Sequence, residues 1–217
     1  MFHRGPGWPG IALLLGWTLF GNGQSLRFVE LSPGDAYCLP APLIIRQTGH
    51  PDISLTARYR TESFKTPFYY ALRLSFWQNR RGWEVELLHL KLFLTHKPEE
   101  IQRFSISHGF NLLTLLRGWK INRFLIRVGV GVVIAHPENT VRNQKLPENR
   151  GIFRAGYYLS GVALHAGVGR RFVLNRRLHL NVEGRITAAG ASVPVIQGSA
   201  TVWHVGMHLL MGLGYRL

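Results

Sequence analysis

The sequence predicts a transmembrane antiparallel β-barrel of eight strands, and three observations predict it. Apolar residues alternate with small or polar residues, the alternating segments are even in number, and short connections between them alternate with long ones. Successive side chains of a strand point to opposite faces, so this alternation separates an apolar face from a polar one. Single-chain barrels of bacterial outer membranes have an even strand number, an apolar exterior and a polar interior.

The C-terminal segment shows the alternation most clearly. Every second residue from Trp203 to Leu217 is large and apolar, and the residues between them are glycine, histidine or arginine except for Leu210. Strands of soluble proteins mostly run about 3–10 residues, so an apolar face that continues to the last residue favours a strand in a membrane. The same period recurs at 68–77, 124–133 and 178–187.

The predicted barrel occupies residues 53–217. Pro33, Pro40 and Pro42 argue against a strand further upstream, so we interpret 24–52 as an irregular, proline-rich lead-in. The predicted strands are 53–60, 68–78, 82–95, 104–117, 122–135, 155–170, 177–190 and 201–217. With both termini in the periplasm, the turns after strands two, four and six are short, and the connections 95–103, 136–154 and 188–200 are long.

Residues 1–23 resemble a secretory signal peptide. Arg4 precedes the apolar run 11–20, and small residues follow it, so cleavage after Gly23 or after Ser25 fits the pattern. The run is too short for a transmembrane helix, which needs about 20 residues. Export and a barrel together predict the bacterial outer membrane as the location, and a monomer is expected.

The composition excludes several other classes. A single cysteine, Cys38, excludes an intrachain disulfide and a CxxC metal site. The formal charge of +15 would suit nucleic acid, but the cations are dispersed and no aromatic platform accompanies them. Lipopolysaccharide, which carries phosphates, is the expected partner of the loop cations. These are Lys97, Arg103, Arg142, Lys145, Arg150 and Arg154.

The predicted lumen is filled by polar side chains. An eight-stranded barrel is too narrow for a water channel, so function is expected at the rim, in the loops or on the lipid-facing wall. We expect buried ion pairs among Arg73, Glu84, Glu86, Arg127, Glu183 and Arg185, and filling by His165, His179, His204 and His208.

The third predicted strand changes phase at Leu87 and Leu88. Glu84 and Glu86 share one parity, and His89 and Lys91 share the other. A bulge there would turn all four polar side chains inward and avoid the cost of a lysine in hydrocarbon.

Three histidines fall near the extracellular strand ends: His89, His108 and His136. Neutral imidazoles with a carboxylate can bind a divalent metal or act as a general base. For His89 and His136 the alternative is that the side chain only fills the barrel interior. The spacing does not decide between this and a functional role.

Four runs resemble the lipid A oxidase-like outer-membrane barrels. They lie at 64–73, 83–91, 107–114 and 135–138, and contain a proline before paired tyrosines, a His-x-Lys, an Asn-Leu-Leu-Thr and a His-x-Glu. The resemblance implies an enzyme that oxidises the proximal glucosamine of lipid A to an aminogluconate, with molecular oxygen and a divalent metal. It implies catalytic roles for Glu86, His89, Lys91, His136 and Glu138, substrate contacts by Arg73, His108 and Asn111, and metal ligation by His89, His136 and Glu138.

Two rival functions stay open. A non-enzymatic barrel that binds lipopolysaccharide or stiffens the membrane would share every pattern above. Deacylation or acyl transfer on lipid A would need a Ser/His pair at the lipid-facing rim, and we find no convincing pair in the sequence.

Overall fold

The computed structural model describes residues 25–217, which form fifteen β-strands in two sheets. The predicted signal peptide lies outside these residues. Within them, no helix has the length and apolarity needed to cross a membrane. The strands are β1 (Ser25–Leu39), β2 (Ala41–Gln47), β3 (Ile53–Ala57), β4 (Tyr59–Arg60), β5 (Tyr70–Gln78), β6 (Arg81–His89), β7 (Leu92–Leu94), β8 (Ile101–Ile106), β9 (Phe110–Ile121), β10 (Phe124–Ala135), β11 (Glu138–Val141), β12 (Gln144–Lys145), β13 (Tyr158–Val173), β14 (Leu178–Val195) and β15 (Gly198–Arg216).

Eight of the strands close into an antiparallel barrel, which confirms the predicted fold class. Their order is β1-β5-β6-β9-β10-β13-β14-β15, and β15 pairs back with β1. Gly212 lies at this closing seam, where a Cβ atom would come within 2.3 Å of the Leu31 carbonyl oxygen. The absence of a side chain therefore allows the first and last strands to approach closely.

The barrel wall is apolar outside. Large aliphatic side chains on alternate positions are strongly exposed, including Leu209 at 67%, Val130 at 61% and Leu164 at 58%. Exposed apolar surface on this scale would be unfavourable in water, and a continuous band of it around a closed barrel is typical of a surface that faces lipid. The molecule is therefore a membrane-spanning barrel of the bacterial outer-membrane type.

The first barrel strand is β1, so the predictions of an irregular lead-in at 24–52 and of a first strand at 53–60 are wrong. Pro33 lacks a backbone N–H, and the pairing of β1 with β15 is interrupted between Leu31 and Gly34. The ladder from β1 to β5 continues through Pro33, which pairs with Tyr70. Residues 53–60 instead form β3 and β4 above the barrel.

Short turns join the barrel strands at one end, as predicted, but the turn expected between residues 117 and 122 lies later in the chain, because β9 continues to Ile121. Residues 79–80, 122–123 and 174–177 connect β5–β6, β9–β10 and β13–β14 at one end of the barrel. In bacterial barrels the short turns are periplasmic, so the opposite end is extracellular. The predicted long connection at 188–200 is wrong, because β14 and β15 extend beyond the wall as one tall hairpin joined by residues 196–197.

The lumen contains the predicted ion pairs in its membrane-spanning part. Arg127 contacts Glu84 at 2.6 Å and Glu183 at 2.8 Å, and Arg185 contacts Glu86 at 2.6 Å. Because each buried charge has a partner, the polar interior is compensated as buried charge requires. The predicted filling by histidine is also confirmed, because the four side chains are at most 4% exposed: His165, His179, His204 and His208.

The main hydrophobic core joins the extracellular part to the upper end of the barrel. β2 extends the line of β1 along the upper end of β15, and a second sheet runs in the order β12-β11-β8-β7-β4. Leu90, Leu92 and Ile106 are fully buried between these layers. This core fixes the connections that leave the barrel, so its upper rim is a packed structure.

The predicted bulge at Leu87 and Leu88 is wrong. The β5–β6 register runs without a shift from Glu86 through His89, which pairs with Tyr70. β6 ends at His89, and the chain then enters the upper core. The change of phase in the sequence therefore reflects this exit from the wall, since residues beyond it no longer alternate between lipid and lumen.

Candidate functional site

A cluster of three side chains forms where barrel strands meet the second sheet, which contains β8 and β11. His108 lies between β8 and β9, His136 directly follows β10, and Glu138 begins β11. The His136 amide donates to the Gly109 carbonyl at 3.0 Å, and Glu138 pairs with Ser105 in the ladder of β11 and β8. Main-chain bonds thus hold the segments that carry the three groups together.

The side chains of this cluster are in mutual contact. His108 Nδ1 is 2.5 Å from Glu138 Oε1, and the rings of His108 and His136 have centroids 4.9 Å apart. The Tyr157 hydroxyl donates to the His108 carbonyl at 3.1 Å, and its ring meets His136 edge-on. The His108 side chain is 58% exposed while Glu138 is buried, so the cluster opens to the outside through His108.

Glu138 is the electrostatic centre of the cluster. Burial alone would raise the pKa of its carboxyl, but hydrogen bonds from Ser107 and His108 and the Arg103 charge together lower the pKa below its ordinary value. A carboxylate held ionised in this way is suited to a cation or to a protonated imidazole.

The cluster fits a divalent metal. One donor atom from each of His108, His136 and Glu138 lies within 4.8 Å of the other two. His136 Nδ1 is buried without a hydrogen-bond partner in the described part of the chain, which is costly for a polar atom unless a ligand satisfies it. Two imidazoles and a carboxylate are the donor set of zinc hydrolases and of non-haem iron oxygenases.

His89 lies outside this cluster, so the predicted metal set is changed: the structure brings His108, and not His89, to His136 and Glu138. His89 stacks on Tyr70 with ring centroids 5.3 Å apart, and its Nδ1 is 2.8 Å from Asn111 Oδ1. Because an amide oxygen only accepts, Nδ1 donates, and the lone pair of the neutral ring is on Nε2. That Nε2 is buried and has no partner among residues 25–217.

The remaining predicted site residues separate into two places. Lys91 lies just above β6, where its ammonium donates to the Lys65 carbonyl at 2.7 Å. Arg73 and Glu86 are buried in the lumen, 2.5 Å apart, and Arg73 also reaches Glu30 and Glu183. They thus belong to the ion-pair network of the barrel interior and not to the rim cluster.

Three further residues belong to the site that sequence reasoning did not assign to it, and one of them, Arg103, was expected only as a loop cation. Arg103 and Ser107 both contact the Glu138 carboxylate, and Tyr157 supports both histidines. Ser107 stands beside His108 in the run 107–114, but its contact with Glu138 depends on the pairing of β8 with β11. Tyr157 follows a long connection, and no local pattern marks its approach.

Replacing Gly156 by valine is expected to displace His136 and to break the candidate metal set while the barrel still forms. A Cβ atom at Gly156 would lie 2.3 Å from His136 Nε2, and the φ of +75° disfavours a branched residue. Metal content of the purified protein is the measurement. Gly184, where a Cβ meets nothing within 4 Å, provides the control in a G184A variant. Normal metal content in G156V would contradict the assigned position of His136.

The fold and the cluster together define a bacterial outer-membrane barrel with a candidate metal centre at its extracellular rim. No family model and no curated protein matches the chain. Among solved structures, the outer membrane protein AlkL in lipid bilayers is similar over 99% of this chain and 97% of its own, with 13% identity and a TM-score of 0.49. The similarity to OprG of Pseudomonas aeruginosa covers 88% of this chain and 96% of OprG, with 15% identity and a TM-score of 0.42. The similarity to outer membrane protein W of E. coli covers 91% of this chain and 100% of that protein, with 16% identity and a TM-score of 0.39. The barrel assignment itself rests on the strand pairing of this chain.

Proposed function

We propose that the protein is an outer-membrane enzyme that modifies lipid A, and that it oxidises the proximal glucosamine to an aminogluconate. The observation that carries the proposal is the convergence of His108, His136 and Glu138 at the extracellular rim. Lipid A forms the outer leaflet at this level. The filled lumen supports a role at the rim, because an interior packed with side chains offers no channel.

The oxidation requires a defined exchange of electrons and protons. The substrate is a proximal glucosamine whose anomeric hydroxyl carries no phosphate. Its anomeric carbon loses its hydrogen and its hydroxyl proton and becomes a lactone carbonyl. Molecular oxygen accepts the two electrons and two protons and is reduced to hydrogen peroxide, and water then opens the lactone to the acid. A divalent ion at the cluster would supply Lewis-acid and redox chemistry beside the sugar.

The protein's own residues would orient and deprotonate the substrate. Glu138 holds His108 in place, and Arg103 adds a cation beside the carboxylate. His89 is our candidate for the general base, because its unpartnered Nε2 carries the lone pair of the neutral ring. Asn111 would act as a positioning residue, since it fixes the ring of His89.

Loop cations near the site suit the phosphates of lipopolysaccharide. Arg150 and Arg154 are exposed in the connection between β12 and β13, close in sequence to Tyr157 of the cluster. Arg142 is engaged elsewhere, because it pairs with Glu100 at 2.7 Å. We therefore assign phosphate contacts first to Arg150 and Arg154.

Mass spectrometry of lipid A tests the proposal. Cells that make lipid A with a free anomeric hydroxyl and express the protein are expected to contain lipid A that has gained one oxygen atom. A chelator is expected to suppress the product in isolated membranes. Cells with the empty vector are the control. Identical spectra would instead favour the non-enzymatic, lipopolysaccharide-binding barrel, and loss of an acyl chain would indicate a deacylase.

A further inference from the structure

The periplasmic end of the barrel has a one-sided charge distribution. Of the eleven acidic residues of the chain, four are buried in the lumen, and the other seven are Asp35 and residues of the extracellular part. The periplasmic end, in contrast, carries a ring of exposed or half-exposed cations. They are Arg27, Arg80, Arg81, Arg117, Lys120, Arg123, Arg170, Arg176, Arg177 and Arg216.

Three of these arginines line a groove on the outer wall. The groove has a volume of about 420 Å³, and Arg80, Arg81 and Arg117 contribute its cations. Phe76 and Trp83 contribute apolar walls. The pairing of β5, β6 and β9 places these aromatic residues and Arg117 side by side, because Trp83 is the partner of Phe76 on one side and of Arg117 on the other.

The groove faces lipid and not the lumen. Phe76 is 41% exposed and shares its outward parity with Leu74, which lies in the apolar band. The guanidinium of Arg117 lies over the Trp83 ring, with its central carbon 4.8 Å from the ring centroid. An arginine over a tryptophan at the edge of the apolar band is at the level of lipid headgroups, where aromatic residues form girdles.

We propose that this groove binds the headgroup of an anionic glycerophospholipid of the periplasmic leaflet. The guanidinium groups of Arg80, Arg81 and Arg117 suit phosphate oxygens, because arginine donates two parallel hydrogen bonds to such groups. The ring faces of Phe76 and Trp83 suit the start of the acyl chains. Basic pockets at a membrane surface bind phosphate headgroups in the same manner.

The aromatic walls distinguish a lipid from a free phosphate. A soluble phosphate would gain only from the cations, and its binding would weaken steeply with salt. A phospholipid adds apolar contact with Phe76 and Trp83 and is held at the groove by its own bilayer. Preference for a lipid over inorganic phosphate is therefore a required property of the site.

Native mass spectrometry of the full chain in detergent micelles tests the proposal. The micelles contain equal amounts of phosphatidylglycerol and phosphatidylcholine, and the ratio of the two bound lipids is measured. For the wild type, the ratio of bound phosphatidylglycerol to bound phosphatidylcholine is expected to be about ten or more. The R80Q/R81Q/R117Q variant is expected to bind the two lipids about equally. An excess of inorganic phosphate should not displace the lipid.

A matched variant separates the groove from diffuse attraction. R123Q/R176Q/R177Q removes the same number of periplasmic charges from other turns and is expected to keep the preference. An equal loss in this control, a wild type without preference, or displacement by inorganic phosphate would each overturn the site. If the variant with R117Q fails to fold, R80Q/R81Q changes only the short turn and its first strand residue, and an unchanged lipid ratio in that variant would also overturn it.

Discussion

Replacing His108 or His136 by alanine is expected to abolish the proposed oxidation of lipid A, while the barrel stays folded. Each residue supplies one of three donor atoms that lie within 4.8 Å of one another. Removing a residue that only hydrogen-bonds to a metal ligand already lowers metal affinity or activity about 10–100-fold. Removing the ligand itself is expected to lower them further. We therefore expect product to fall by more than about a hundredfold in either variant, measured by mass spectrometry of lipid A.

His96→Ala provides the matched control for both variants. His96 is an exposed histidine of the extracellular connections, where its ring contacts the Thr95 hydroxyl. This variant is expected to form product at the wild-type level. Heat-modifiable migration in electrophoresis reports whether each barrel has folded. Normal product from H108A and from H136A, at wild-type abundance, would exclude the cluster as the reactive site.

Replacing Arg127 by methionine is expected to cause a large loss of barrel stability. Arg127 is 0% exposed and bridges Glu84 and Glu183 across the barrel. Methionine keeps much of the side-chain volume but leaves two buried carboxylates with fewer partners. Breaking a buried ion pair from one side costs about 3–5 kcal/mol, and we expect the free energy of unfolding to fall by that amount.

Urea unfolding in lipid vesicles, followed by tryptophan fluorescence, measures this effect. Arg123→Met is the control, because Arg123 lies exposed in the two-residue turn between β9 and β10. It is expected to unfold within about 0.5 kcal/mol of the wild type. Adding Glu183→Gln to Arg127→Met is expected to recover part of the loss, since it removes one of the two carboxylates that have lost Arg127 as a partner. A loss below about 1 kcal/mol in R127M would show that the network does not stabilise the barrel.

Much of the barrel could be predicted from the sequence because alternation is a local property. β5, β10 and β13 to β15 carry regular apolar and polar faces, and the predicted ranges overlap the observed strands closely. β1 was missed because Pro33, Pro40 and Pro42 argue against a strand there. Its place is decided by pairing with β15 and β5, which no local pattern reports.

The candidate site could be predicted only in part. His136 and Glu138 stand two residues apart, so the sequence alone marks them as neighbours. His108 joins them because β8 pairs with β11 and the Gly109 carbonyl binds the His136 amide. His89 has a similar position at a strand end, but it stacks on Tyr70 and bonds to Asn111 instead.

The sequence by itself determined the chemistry of the two faces: an exterior suited to hydrocarbon, a lumen of paired charges, and short periplasmic turns. The tertiary structure alone decided where the chain leaves the wall after His89, which strand closes the barrel, and which histidine reaches Glu138. The physical reason is the distance along the chain over which each feature is determined. Side-chain alternation follows from the geometry of a single strand, whereas closure and the rim cluster depend on contacts between segments distant in the chain.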